Sequence, residues 1–288
     1  MEIGVVFPQT EIGPDPGAVR AYADAASDLG FHHLLIFEHV VGADPRVHEG
    51  WNREYDLSSN FHEPFVLMGY LAAVTSVELV TGIVILPQRQ TVLVAKQAAE
   101  VDVLCRGRLR LGVGLGWNPV EYEALGRNFA DRGERIGEQV ELMRMLWTQD
   151  SVTFTGQYDK ITGAGLTPQP VQRPIPIWFG GSAPRALRRV GRLADGWLVE
   201  FKPGSEELAT GLELVREGAA EAGRDPSTIG LEARIEYAEG DHKELARMVA
   251  AWREAGATHL CLNMMEIGLR NVDEHIAELS SAARELFG

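Results

Sequence analysis

The stretch Leu79-Val80-Thr81-Gly82-Ile83-Val84-Ile85-Leu86-Pro87 is a β-branched run closed by proline, and Arg108-Leu109-Arg110-Leu111-Gly112-Val113 is the next such run, with a helical segment over about 92–104 between them. Strand, helix and strand in succession imply a parallel pair. The same unit recurs on both sides. Upstream lie strand Ile3-Gly4-Val5-Val6-Phe7, a helix over about 16–29, strand Leu34-Leu35-Ile36-Phe37, a loop of some two dozen residues and a helix over about 64–75. The 16–29 helix shows its apolar face in Val19, Tyr22, Ala23, Ala26 and Leu29, spaced three and four apart.

Downstream, a helix over about 132–147 would bury Ile136, Val140, Met143 and Trp147. The rhythm then breaks. Val152-Thr153-Phe154 and Tyr158-Asp159-Lys160 flank Thr155-Gly156-Gln157 as a hairpin, and Pro168, Pro170, Pro174 and Pro176 mark an extended connection, so an insertion precedes the fifth strand. Alternation resumes with strands at 175–179, 196–199, 229–235 and 258–262, each followed by a helix, at about 184–194, 206–222, 242–254 and 272–287. Eight strands and eight helices in alternation predict a closed (β/α)8 TIM barrel, over residues 1–288 as one domain. A doubly wound open sheet is the competing architecture.

Composition narrows the function. The chain has 288 residues, 45% hydrophobic and 24% charged, which excludes a disordered or fibrous chain. A net charge of −14, from 27 basic and 41 acidic residues without a polybasic run, argues against nucleic acid and anionic membranes as partners. No apolar run approaches the length of a membrane span, and the N-terminus has no basic segment before an apolar one. Cys105 and Cys261 form no disulfide framework, so a cytoplasmic location is expected.

In a barrel the functional residues follow the strands. Glu38-His39 follows strand two, as an acid/base pair or a cofactor contact. Gly112-Val113-Gly114-Leu115-Gly116-Trp117-Asn118 follows strand four: alternate glycines let a flat or anionic ligand approach, Trp117 can wall a pocket and Asn118 can bond a polar ring edge. This is not a dinucleotide fingerprint, because the third glycine comes too early. Gly180-Gly181-Ser182-Ala183-Pro184-Arg185 opens a helix and suits a phosphate, although Ser182 could instead be a plain N-cap. Gly82 interrupts strand three as at a bulge. The long loop carries Trp51, Tyr55, Phe61 and His62, as a lid over an apolar pocket. His32, His33, His39, His48 and His62 fall in no metal-ligand spacing, so no metal is expected.

As a set, Phe37-Glu38-His39, residues 81–87, residues 107–118, Pro168-Gln169-Pro170-Val171-Gln172, residues 175–181 and Ala194-Asp195-Gly196-Trp197 resemble the luciferase-like monooxygenase superfamily, in its branch of coenzyme F420-dependent oxidoreductases. The resemblance spans nearly the whole chain. It implies a TIM barrel, often a homodimer, that binds F420, and a small organic substrate. It also implies a cis peptide at Gly82-Ile83 behind the deazaflavin, Glu38 and Asn118 as cofactor contacts, His39 as the active-site imidazole, and Gly180-Gly181 with Ala183-Pro184 as the phosphate-side loop. One position departs: Leu115 stands where the sugar-phosphate dehydrogenases of the superfamily have a catalytic glutamate, which argues against glucose-6-phosphate as substrate. The alternative is an FMN-dependent monooxygenase of the alkanesulfonate type, which needs a flavin reductase partner and oxygen. A barrel that binds flavin without catalysis is disfavoured by the retained Glu38-His39, and a metal-dependent hydrolase by the histidine spacing.

Overall fold

A computed structural model describes residues 1–238 and 242–288. In chain order the elements are β1 (Glu2–Val6), α1 (Pro16–Asp28), β2 (His33–Ile36), α2 (Pro64–Val74), β3 (Glu78–Thr81), β4 (Val84–Ile85), α3 (Thr91–Leu104), β5 (Leu109–Gly114), α4 (Pro119–Ala124), α5 (Arg132–Thr148), β6 (Val152–Thr155), β7 (Lys160–Ala164), β8 (Ile177–Gly180), α6 (Pro184–Leu193), β9 (Gly196–Val199), α7 (Glu206–Glu221), β10 (Gly230–Glu236), α8 (His242–Glu254), β11 (His259–Asn263) and α9 (Val272–Phe287). All strands but β6 and β7 join one parallel sheet, and the β3–β5 pairing of Leu79 with Leu109 closes it into a ring. The barrel is thus the architecture, and the open sheet is excluded. β6 and β7 form the antiparallel hairpin of the insertion. Among the described residues no helix is long and apolar enough to cross a membrane.

The bulge expected at Gly82 is present, and one other element differs from expectation. Strand three is not one run. Val80 faces Arg110 and Val84 faces Val113, so four steps on this strand oppose three on β5, and the extra residue makes a bulge. The Gly82–Ile83 peptide at the break is cis. The difference is α4, a short helix inside what reads as a loop after Asn118. Asn118 caps it, its Oδ1 accepting the Val120 N–H at 3.0 Å, and Pro119 occupies its first turn.

Side chains alternate along the strands between two cores. Val5, Leu34, Ile36, Leu79, Leu260 and Leu262 pack outward against the helices. Val6, Leu35, Val80 and Cys261 point inward and form a separate cluster with Phe37 and Met265. The N-terminal end of the barrel is polar. Arg110 bridges Glu78 and Glu232, with its guanidinium 4.4 Å from the Trp178 ring centre, and His33 Nε2 lies 2.8 Å from Glu232. Burial works to raise the Glu232 carboxyl, but Arg110 and His33 outweigh it and hold it well below the usual carboxylate range. Burial, with Arg110 beside it, depresses His259 to about 3.

Candidate active site

Glu38 follows β2 and is buried. Its Oε2 accepts the Ile85 N–H at 2.5 Å, and its Oε1 accepts from Arg89 Nε at 2.8 Å and from Arg89 Nη2. Arg89 also pairs with Glu63 at 2.9 Å. Glu38 is therefore a latch that ties the end of β2 to the chain just past the bulge, and both its oxygens have protein partners. Burial pushes this carboxyl up, and Arg89 and the Ile85 amide pull against that.

His39 sits in the mouth of the barrel. The rings of Phe61, Tyr55 and Trp117 stand 4.8, 5.3 and 5.3 Å from its own, and Trp51 packs on Trp117 at 5.8 Å. Three of the four aromatics expected from the lid and the strand-four loop therefore meet around one imidazole, with Trp51 behind Trp117. Burial, with Glu54 and Glu266 nearby, pushes the Tyr55 hydroxyl above its ordinary value, so it stays a donor. A cleft of about 70 Å³ remains, lined by His39, Tyr55, Phe61 and Asn118 among others. The sequence reading missed the partner of His39. Glu121, fully buried on α4, places both carboxylate oxygens 3.3 Å from His39 Nδ1 and accepts the Val40 N–H at 2.7 Å. The signal was present in Asn118-Pro119, an N-cap and first-turn pair that opens a helix.

The glycines of the strand-four loop have a different cause from the one expected. A Cβ on Gly112 would lie 1.9 Å from the Thr81 carbonyl oxygen, one on Gly114 2.7 Å from Ile83 Cδ1, and one on Gly116 2.7 Å from Ile85 Cγ2. They make room for the bulged strand. Val113 faces the outer core. Ile83 also reaches the space beside Gly180, whose Cβ would be 3.2 Å from it, so Ile83 forms an apolar ledge spanning Gly114 and Gly180. Asn118 is buried and its Oδ1 is committed to the cap of α4, while the residue still lines the cleft.

At the other side of the mouth, α6 begins at Pro184, and its N-cap is Ala183, with no side-chain cap bond. Ser182 is not the cap, so the amides of this turn are not taken by a side chain. Gly181 has φ +126°, a conformation suited to glycine, and its carbonyl accepts from Trp197 Nε1 at 3.0 Å. Arg185 is exposed and makes no ion pair among the described residues, whereas Arg188 is paired with Glu217 at 2.7 Å. A cleft of about 400 Å³ adjoins Ser182 and Pro184 and is bordered by Glu206 and Glu207.

Three further mouth residues, Arg234, Glu236 and Asn263, escaped the sequence reading. Arg234, on an inward position of β10, lies 5.4 Å over the Phe37 ring and donates to Glu236 at 2.5 Å; Asn263 holds the other oxygen of Glu236 at 2.6 Å. At the opposite end, His33, Glu232 and Cys261 bring possible ligand atoms within 4.8 Å of one another. Arg110 already bonds that glutamate and competes with any cation, and burial raises the Cys261 thiol far above its ordinary value.

The family model for luciferase-like monooxygenases matches residues 1–285. The chain is 30% identical over 260 residues to an F420-dependent hydroxymycolic acid dehydrogenase of Mycobacterium tuberculosis, covering 88% of this chain and 68% of that protein. It is 36% identical over 188 residues to an F420-dependent glucose-6-phosphate dehydrogenase of Nocardia farcinica, covering 61% and 55%. Among solved structures, an F420-dependent secondary alcohol dehydrogenase in complex with an F420–acetone adduct superposes with a TM-score of 0.77 at 21% identity, covering 100% of this chain and 99% of that one, a likeness of fold. With a closed barrel, a bulged third strand and an imidazole walled by aromatics at the strand ends, this chain belongs to the luciferase-like monooxygenase family and is an oxidoreductase.

Proposed function

We propose that the protein is an F420-dependent oxidoreductase acting on a small, largely apolar organic substrate. The observation that carries this reading is His39, backed by Glu121 and enclosed by Tyr55, Phe61 and Trp117 beside the Ile83 ledge. The F420-dependent relatives support the choice of cofactor.

The residues fit such a group. The ledge of Ile83 between Gly114 and Gly180 suits one face of a planar ring, with Gly82, Gly112 and Gly116 shaping the chain behind it. The turn of Gly180, Gly181, Ser182 and Ala183 before Pro184 offers backbone donors to a phosphodiester, with Arg185 free to approach. The bound deazaflavin would supply hydride acceptance or donation at its C5 carbon. The chain's own part is to orient the substrate against that face, exclude water with Trp51, Tyr55, Phe61 and Trp117, and move a proton at His39 Nε2. Leu115 stands where the sugar-phosphate dehydrogenases have a catalytic glutamate, and Glu54 and Glu266 lie near Tyr55, so a neutral substrate suits the mouth better than an anionic one.

Fluorescence titration with F420 and with FMN tests the reading: F420 should bind and FMN should not compete at equal concentration. Preference for FMN would instead favour the flavin monooxygenase reading. His39→Ala should lower turnover about 10²- to 10⁴-fold while cofactor affinity changes little.

A further inference from the structure

The face that Glu121 presents to His39 determines which ring nitrogen can work. Glu121 has no solvent exposure. Its carboxylate accepts the Val40 N–H at 2.7 Å through Oε1, and both oxygens lie 3.3 Å from His39 Nδ1. An ionised carboxylate has no proton to give, so a bond to Nδ1 requires the ring to carry its proton there. A neutral imidazole has only one N–H, which leaves Nε2 bare. Among the described residues no protein group bonds Nε2, and His39 lines the cleft in the mouth.

We propose that Glu121 is a positioning residue that fixes the Nδ1–H tautomer of His39, so that Nε2 meets the substrate as a proton acceptor. In water the neutral ring favours the opposite tautomer, with the proton on Nε2. The carboxylate therefore selects the form that is otherwise the minor one. When Nε2 takes the proton of a substrate hydroxyl, the O–H bond breaks, the N–H bond forms, and the imidazolium charge arises beside the buried carboxylate. A deazaflavin bound against Ile83 would supply the acceptor for the substrate's C–H hydride, so electrons and charge would balance. In the reverse direction the same Nε2–H returns its proton to the carbonyl oxygen. This assignment of direction rests on the oxidoreductase reading above; the tautomer does not.

Glutamine at position 121 reverses the selection with little change of shape. Its single carbonyl oxygen can keep the Val40 N–H, and its NH₂ group then faces Nδ1. A donor there requires Nδ1 to be the acceptor, which moves the proton to Nε2. A residue that only braced the loop would have no such effect, since the glutamine keeps the brace.

The test is nitrogen NMR of histidine-labelled protein at alkaline pH, with no ligand added and with the His39 signals assigned by their loss in His39→Gln. In the parent, Nδ1 should show the shift of a protonated nitrogen and Nε2 that of a bare one. In Glu121→Gln the two should exchange, at an unchanged melting temperature within a few degrees, and kcat should fall about 10²-fold with KM little changed. A parent whose proton lies on Nε2 overturns the proposal, whether or not the variant folds. So does a Glu121→Gln protein whose tautomer matches the parent's. If the tautomer inverts but turnover is unaltered, the assignment of Glu121 stands, and it is the role of His39 in the proposed reaction that falls.

Discussion

Replacing Glu38 by glutamine separates two jobs that an acid after strand two could do, holding a cofactor or holding the protein together. The structure commits Oε2 to the Ile85 amide and Oε1 to Arg89. Glutamine can still accept from Ile85, but its NH₂ group then faces the guanidinium, and two charge-assisted bonds are lost. Each such bond is worth about 1.5–3 kcal/mol. Two effects reduce the total: a charge no longer needs to be desolvated, and Arg89 keeps Glu63. Removing one partner of a buried pair costs about 3–5 kcal/mol, and the retained carboxylate places this case lower, at roughly 2–4 kcal/mol. At about 2–4 °C per kcal/mol for chains approaching this size, Tm should fall by roughly 4–16 °C. Calorimetric or circular-dichroism melts at neutral pH measure this directly, alongside F420 titration well below Tm. A Tm within a degree or two of the parent, together with a large loss of affinity, would refute the latch and make Glu38 a cofactor contact.

Other substitutions probe the remaining features. Gly181→Asp places a side chain at φ +126° and a negative charge at the α6 turn, and should abolish F420 binding while circular dichroism shows a folded barrel. Arg185→Glu should weaken F420 more than riboflavin, which has no phosphate, and equal losses for both ligands would move the phosphate elsewhere. His259 and Glu232 both have folded pKa values below their unfolded ones, so each stabilises the fold above its unfolded value, near 6.5 and 4.3, and that stabilisation is lost as pH falls. The urea midpoint should therefore drop steadily from pH 7 to pH 4, and a flat profile would contradict the floor network. Val66 on α2 and Leu93 on α3 are apolar side chains 73% and 52% exposed, candidates for a contact in the homodimer that the family resemblance implies. Val66→Asp with Leu93→Asp should convert a sedimenting dimer to a monomer, and a parent that already sediments as a monomer would end that proposal.

Most of the barrel was legible because its strands are short apolar runs that alternate with longer helical patterns along the chain. What escaped was non-local. The bulge at Gly82 was legible, but its four-to-three register against β5 was not. Glu121 meets a backbone amide and an imidazole some eighty residues away, across a helix too short to show periodicity. Gly112, Gly114 and Gly116 look like a ligand loop, because a sequence does not reveal what fills the space beside a glycine; here it is Thr81, Ile83 and Ile85. Arg188, near the phosphate turn, has its partner Glu217 on α7, a pairing that the sequence does not show. His39 and its aromatic neighbours were legible because strand ends and an aromatic-rich loop converge on the same face of any such barrel.

The charged floor has a kinetic corollary. Arg110, Glu232, His33 and Trp178 stopper the barrel at the N-terminal end of its strands, so the interior is a blind well with one door. Two ligands in such a well cannot exchange independently. Whatever rests deeper, against Ile83, must arrive before the molecule that lies under Trp51, Tyr55 and Phe61, and can depart only after it. If F420 lies against Ile83 with the substrate above it, as proposed, the substrate would leave before the cofactor, and its excess should register as inhibition through slowed release.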